Sequence, residues 1–92
     1  MNPSNPLVDV VIPAYNEEAS VPLVIQDIPS FVREVVVVNN NSTDQTATNA
    51  KAVGATVVDQ PLQGYGNACL KGIDYLVHKS VQPDIIVFLD AD

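Results

Sequence analysis

The stretch Asp84-Ile85-Ile86-Val87-Phe88-Leu89-Asp90-Ala91-Asp92 decides how this chain is read. Its run from Ile85 to Leu89 is short, apolar and preceded by Pro83, the pattern of a fully buried strand. Two carboxylates follow at once. Open α/β sheets bind ligands outside the carboxyl ends of their strands. Asp90 and Asp92 therefore stand where a site belongs.

Upstream, the same grammar repeats. Leu7 to Ile12 is a mostly β-branched run ended by Pro13, and reads as strand one. Ser20 is an N-cap, and Pro22 suits the first turn of a helix carrying Val21, Val24, Ile25 and Ile28. Glu34 to Val38 is strand two, a buried Val-rich run. Ser42-Thr43-Asp44-Gln45 forms a capping box before a helix through Ala47, Ala50 and Val53, closed by Gly54. Ala55 to Val58 is strand three. A third helix runs from about Gly66 to His78, with Ala68, Leu70, Ile73 and Leu76 or Val77 turned inward. Asp84 to Leu89 is strand four.

The order βαβαβαβ predicts an α/β fold. It is a Rossmann-like parallel sheet of about four strands, ordered 3-2-1-4, with helices on both faces. The winding then reverses between strands one and four, and a crevice opens at that switch point. Pro13-Ala14-Tyr15-Asn16-Glu17, Asn39-Asn40-Asn41-Ser42 and Asp90-Ala91-Asp92 follow strands one, two and four, and all three are expected at one mouth. Residues 1–6 are expected to form a disordered tail, and residues 7–92 the folded domain.

Bulk composition narrows the function. The 92 residues are 47% hydrophobic, enough to build a core, and the mean hydropathy is +0.16. A net charge of −7, with only Arg33, Lys51, Lys71 and Lys79 as cations, argues against nucleic acid as a partner. An anionic ligand here needs a divalent cation or outside basic groups. The single Cys69 excludes an internal disulfide and reads as a small buried hydrophobe. Neither a signal peptide nor a membrane-length apolar run is present, so the cytoplasm is the expected location; association with a membrane would need a further segment.

The clusters suggest specific chemistry. Asp90 and Asp92 are oxygen ligands of the kind Mg²⁺ or Mn²⁺ takes. The plain alternative is a solvated strand end. Tyr15 follows a rigid proline and offers a ring to a nucleoside, or else caps the sheet. Asn39 and Asn40 can read a base edge or ribose, or else serve a turn. Glu17 and Glu18 also complement a helix dipole. Gly64-Tyr65-Gly66 is a flexible entry to the third helix and not a dinucleotide or P-loop fingerprint. His78 is a late-helix charge or a surface residue.

Four motifs in order carry a family resemblance: Val10-Val11-Ile12-Pro13-Ala14-Tyr15-Asn16-Glu17-Glu18, Val36-Val37-Val38-Asn39-Asn40-Asn41-Ser42-Thr43-Asp44-Gln45-Thr46, Gly64-Tyr65-Gly66-Asn67-Ala68 and Phe88-Leu89-Asp90-Ala91-Asp92. Together they resemble the opening of family 2 glycosyltransferases of the GT-A fold. Within that family the likeness is to the branch of polyprenyl-phosphate (dolichyl-phosphate) mannose and glucose synthases. The resemblance implies metal-assisted transfer of a sugar from a UDP- or GDP-sugar to an acceptor with inversion. It implies that Pro13, Ala14, Tyr15 and Glu17 line the base and ribose pocket. Asn39 and Asn40 take the place of an acidic pair that reads the base. Asp90, with Ala91 beside it, lies near ribose and metal, and Asp92 is the principal ligand of Mg²⁺ or Mn²⁺. Two departures stand out: Asn39 where relatives often carry Asp, and Gln63 beside the loop glycine where many carry Lys or Arg.

The resemblance also implies that the acceptor half and its catalytic base follow residue 92. Residues 7–92 are then expected to be a truncated donor-binding domain, inactive alone, with a polyprenyl phosphate or a saccharide as the acceptor class. A bare, apolar strand four is expected to pair with a second copy as a homodimer. The competing class is a noncatalytic nucleotide-binding or self-associating α/β module. A receiver domain would want an acidic pair after strand one and an Asp ending strand three, and a nucleotidyltransferase would want a basic Gly-rich loop after strand one. This chain offers Glu17-Glu18 in a different context and Asp59 without a supporting Lys after a later strand, and Pro13 to Glu18 is neither Gly-rich nor basic.

Overall fold

The computed structural model describes residues 5–92. Of the expected tail, residues 1–4 lie outside the described residues, and Asn5 and Pro6 are exposed without helix or strand. The elements are β1 (Val8–Ala14), α1 (Val21–Gln26), β2 (Val32–Asn39), α2 (Thr46–Ala52), β3 (Thr56–Asp59), α3 (Tyr65–Val77) and β4 (Ile85–Phe88). The four strands form one sheet in the order β3-β2-β1-β4, every pair parallel. The fold class and strand order are those the sequence predicts.

Strand periodicity splits the core into two layers. Val10, Ile12 and Ala14 of β1 join Val37 of β2 on the face covered by Val21 and Ile25 of α1 and Ala50 of α2. Val11, Val36 and Val38 point the other way, against Ala68 and Leu76 of α3. Each fully buried Val, Ile or Leu contributes about 1.5–3 kcal/mol. Gly72 lets α3 settle on the sheet: a β-carbon there would lie 2.5 Å from Val11 Cγ1.

β1 continues through Pro13, where the sequence ends it. The Leu89 amide donates to Val11 O on the β4 side, while Asn40 N donates to Ala14 O on the β2 side. Alternation places the missing N–H of Pro13 toward β4, and β4 stops at Phe88, paired with Val11. Proline is tolerated there because no ladder bond is lost.

Other expectations give way to tertiary contacts. β4 is the sheet edge, as the order 3-2-1-4 expects, but its run is not buried: Ile85, Val87 and Phe88 are all exposed. Leu70 and Val77 of α3 face solvent, and Gly72 takes the inward position between Ala68 and Leu76. Cys69 is half-buried. α2 begins at Thr46 and has no side-chain cap from the Ser42 box. Ser20 does stand at the N-cap of α1, but its hydroxyl donates to Glu17 Oε2 at 2.8 Å instead of capping the helix.

At the amino end of the sheet, two polar anchors brace the elements. A bulge between Val8 and Asp9 leaves Arg33 unpaired in the β1–β2 register, and its guanidinium grips Asp9. Glu34 collects Thr56 Oγ1 at 2.7 Å, the Tyr75 hydroxyl at 2.8 Å and Lys79 Nζ at 2.6 Å. It thereby ties β2 to β3 and to the end of α3. Burial alone raises the Glu34 carboxyl pKa, yet the bonds from Lys79, Thr56 and Tyr75 outweigh it and hold the value below the ordinary 4.5.

Candidate functional site

The carboxyl ends of β1 and β2 open onto a cavity of about 320 Å³, lined by Pro13, Ala14, Tyr15, Asn40, Gln63, Gly64 and Tyr65. It lies next to the switch point, since β1 is flanked by β2 on one side and β4 on the other. Its floor is firm: Ala14 is buried and its carbonyl accepts from Asn40 N at 2.8 Å. Its rim is aromatic. Tyr15 is half-exposed after β1, and Tyr65 is exposed in the first turn of α3.

A web of side-chain bonds between the two post-strand turns sets the rim. Asn16, at φ 52°, donates its amide to Ser42 Oγ at 3.0 Å and accepts at Oδ1 from Thr43 N at 2.8 Å. Buried Thr46 accepts from Glu17 N at 2.9 Å and donates its hydroxyl to Asp44. Glu18 joins from both directions, with its amide donating to Asp44 Oδ2 and its carboxylate accepting from Gln45 N. These bonds hold the Asp44 carboxyl pKa below its ordinary 3.8, Thr46 contributing most. Sequence spacing assigns Ser42 to Gln45 to a helix cap. Each of the four also bonds Asn16 or Glu18, 26 or 27 residues away, and only the parallel pairing of β1 with β2 brings those partners into reach.

The sequence-predicted residues divide among three places. Pro13, Ala14, Tyr15 and Asn40 line the cavity together. Glu17 does not line it: its carboxylate turns back to Ser20 Oγ and its carbonyl accepts from Val21 N at 3.0 Å. Asn39 faces a smaller hollow of about 180 Å³ with Asn41, Ser42, Asp59 and Pro61. There its amide nitrogen donates to Asp59 Oδ1 and its oxygen accepts from Ser42 N, both at 3.1 Å. Asp90 and Asp92 are exposed on either side of buried Ala91, and both line a groove of about 470 Å³ beside α1 with Val24, Ile28, Phe31, Val87 and Leu89.

Asp90 nevertheless reaches the cavity electrostatically. The Tyr65 hydroxyl pKa is held above its ordinary 10.0, first by the nearby Cys69 side chain, then by burial and least by the charge of Asp90. Sequence reasoning missed Gln63 and Tyr65 as cavity walls, although Gly64-Tyr65-Gly66 marked the loop.

A divalent cation would find a partial site here. Among the described residues no group of three or more His, Cys, Asp or Glu side chains gathers as a metal site. Two exposed carboxylates fit Mg²⁺ or Mn²⁺ in the mode where one or two protein oxygens share the ion with water and substrate phosphates. The donor set suits a cation shared with a bound diphosphate and does not form a closed structural site.

Comparison with known proteins agrees with this geometry. The model of glycosyl transferase family 2 matches residues 9–92. An uncharacterized glycosyltransferase of Mycobacterium tuberculosis is 45% identical over 85 residues, covering 92% of this chain and 36% of the relative. Protein RfbJ of Shigella flexneri is 38% identical over 85 residues, covering 90% of this chain and 62% of that one. Glucosyl-3-phosphoglycerate synthase of M. tuberculosis, crystallised with Mn²⁺, UDP and phosphoglyceric acid, superposes with a TM-score of 0.81 at 32% identity. That superposition covers 97% of this chain and 34% of the synthase. The chain therefore spans between about a third and somewhat under two thirds of these relatives. With the family model matching residues 9–92, nearly the whole chain, the chain belongs to glycosyl transferase family 2.

Proposed function

We propose that this chain is the donor-binding part of a hexosyltransferase that moves a sugar from a nucleotide-diphosphate donor to an acceptor with inversion. UDP is the preferred nucleotide, because the solved neighbour holds UDP with Mn²⁺. The observation that carries this reading is the cavity at the end of β1, where Pro13, Ala14, Tyr15 and Asn40 meet the Gln63–Tyr65 wall. Its volume falls at the lower end of the range for small-ligand sites.

Each residue has a physical task in this reading. Pro13 and Ala14 give a rigid floor, since their backbone belongs to the sheet. The Tyr15 ring offers a stacking face for the base. Asp92, with Asp90, would hold Mg²⁺ or Mn²⁺, which supplies positive charge to a departing diphosphate. That charge matters more than usual in a chain of net −7, which repels an anionic donor.

The rest of the reading concerns the whole protein. The acceptor side and its base belong to the part of the relatives that this chain does not span, so the isolated chain binds donor without turnover. The acceptor is a polyprenyl phosphate or a saccharide, the former in the polyprenyl-phosphate mannose and glucose synthase branch. The reaction is placed in the cytoplasm, at a membrane where the acceptor is a lipid. The exposed β4 edge favours a second association, a homodimer.

Titration calorimetry with UDP and GDP, with and without Mn²⁺, tests the donor site. Heat of binding for UDP that grows with Mn²⁺ is the expected result. No binding of either nucleotide under any condition sinks the proposal.

A further inference from the structure

We propose that Asn40 is a positioning residue that holds residues 60–64 in place as one wall of the nucleotide cavity. This rests on the reading of that cavity as a donor site. It gives Asn40 a task other than reading a base.

The wall has no apolar anchor. Every residue from Pro61 to Gly66 is exposed, including Leu62 and Tyr65. Packing therefore does not fix it. Among the described residues, four hydrogen bonds tie residues 60–64 to the sheet. One is Gln60 N to Asn39 O at 3.0 Å, at the first residue of the loop. The other three all belong to the Asn40 side chain. Its Nδ2 donates to Gln60 O at 2.8 Å and to Leu62 O at 3.0 Å, and its Oδ1 accepts from Gly64 N at 2.9 Å.

Asn40 is suited to bear that load. It is buried to 7% exposure, and its own amide is pinned to Ala14 O. It thus links the floor of the cavity to its wall. The far end of the loop is the conformationally demanding one: Gly64 sits at φ 130° and ψ 139°, backbone space that essentially only glycine occupies. The bond to Asn40 Oδ1 fixes Gly64 there and so sets where Tyr65 enters the rim.

The chemistry is specific to an amide. Two carbonyls and one N–H converge on this position, so the group there must give two hydrogens and accept one. Aspartate accepts but has no hydrogen to give at neutral pH. It would set negative charge against two carbonyl oxygens. Both Asn40 donors are consumed, so what the side chain has left for a ligand is acceptor capacity alone.

The test combines calorimetry of UDP with Mn²⁺ and amide hydrogen exchange at Gly64, whose N–H donates to Asn40 Oδ1, on the native chain, Asn40→Asp and Asn40→Leu. The native amide should be protected without nucleotide. Both variants should exchange about tenfold faster there and bind UDP about tenfold more weakly, the scale of one or two lost net hydrogen bonds. Measuring affinity well below each variant's melting temperature separates positioning from stability, because a merely structural role lowers the melting temperature and leaves the affinity of the folded chain alone. Unchanged exchange in both variants overturns the lock, and faster exchange with unchanged UDP affinity overturns its role in binding. Failure of the native chain to bind UDP overturns the donor reading itself. It is told apart from failure of the lock by the native exchange rates, which the lock slows with or without nucleotide.

Discussion

Asp9, fully buried in β1, is held by Arg33 through two parallel bonds, Nη2 to Oδ2 at 2.6 Å and Nε to Oδ1 at 3.1 Å. The β-bulge opposite Val8 and Asp9 aims the guanidinium inward, and its remaining nitrogen donates to Val81 O at 2.9 Å. One arginine thus closes the bottom of the sheet and secures the connection from α3 to β4. The pair is a demand for order more than a source of net stability, because the Asp9 carboxylate gives up its water to form it, while Arg33 stays partly solvated.

Removing one partner is therefore costly. Arg33→Ala leaves a carboxylate with no solvent and no cation, a situation worth about 3–5 kcal/mol of destabilisation. Urea unfolding of Arg33→Ala should show that loss, and the double variant Asp9→Asn with Arg33→Met should recover much of it. A loss below about 1 kcal/mol, the range of a surface pair, would show that Asp9 is not desolvated as described.

Gly72→Ala tests the seat of α3 on the sheet. The new methyl carbon would meet Val11 Cγ1 at 2.5 Å and Val38 Cγ2 at 3.3 Å. Val11 is fully buried and stiff at χ1, so relief requires α3 to lift. The expected cost is about 1–3 kcal/mol, against the usual gain from alanine in a helix. A thermal melt that rises for Gly72→Ala would contradict the packing.

How much was legible in the sequence follows from such contacts. Strand order, helices on both faces and the switch point came from the succession of strands and helices and the right-handed crossover between parallel strands. Element order put β4 at the edge; the buried reading of its run failed because Ile85 to Phe88 has the composition of a central strand. Leu70 misled because a helical stripe tolerates a one-residue shift, and Gly72, with no side chain, gives hydropathy no signal at the closest contact. Ser42, Asn39 and Asn40 carried the right residue types. Their partners (Asn16, Asp59 and the Gln60–Gly64 loop) are set by parallel pairing and by a loop whose course no local pattern fixes.

Glu34 gives the chain an acid-sensitive brace. Its carboxyl pKa lies below the ordinary 4.5 in the folded state, so the folded protein binds fewer protons there than the unfolded chain. Its contribution is fully present above pH 4.5 and is lost as pH falls through the lowered value. Unfolding free energy followed from pH 7 down to pH 2 should decline over that window. Glu34→Gln should be less stable at neutral pH and show a shallower decline. An identical slope in both proteins would assign the acid sensitivity elsewhere.

Thr46 is the pin between the turns after β1 and β2. Thr46→Val keeps the shape but strands the Glu17 N–H and withdraws a donor from Asp44. Leaving such groups unsatisfied costs about 1–3 kcal/mol. Because the same turns carry Tyr15 and Asn40, UDP affinity should also weaken. Thr46→Ser, which keeps the hydroxyl, should restore most of both. A serine variant as impaired as the valine one would point to the lost methyl and away from the hydrogen bonds.

The β4 edge offers the last test. Odd residues of β4 turn their N–H groups to β1, as Ile85 N does to Leu7 O and Leu89 N to Val11 O. The outward groups are then those of Ile86 and Phe88. The strand around them exposes the apolar side chains of Ile85, Val87 and Phe88. An unpaired apolar edge is a template for another strand, and a two-fold pairing would cover it with its own copy. Light scattering over a concentration series should show a dimer that dissociates on dilution. Phe88→Pro removes one outward N–H and spares the β1 ladder, so it should shift the equilibrium to monomer without unfolding the chain. A native chain that stays monomeric at millimolar concentration would mean that the edge is protected by its short length, four residues, and that the exposed face of β4 is not used for self-association.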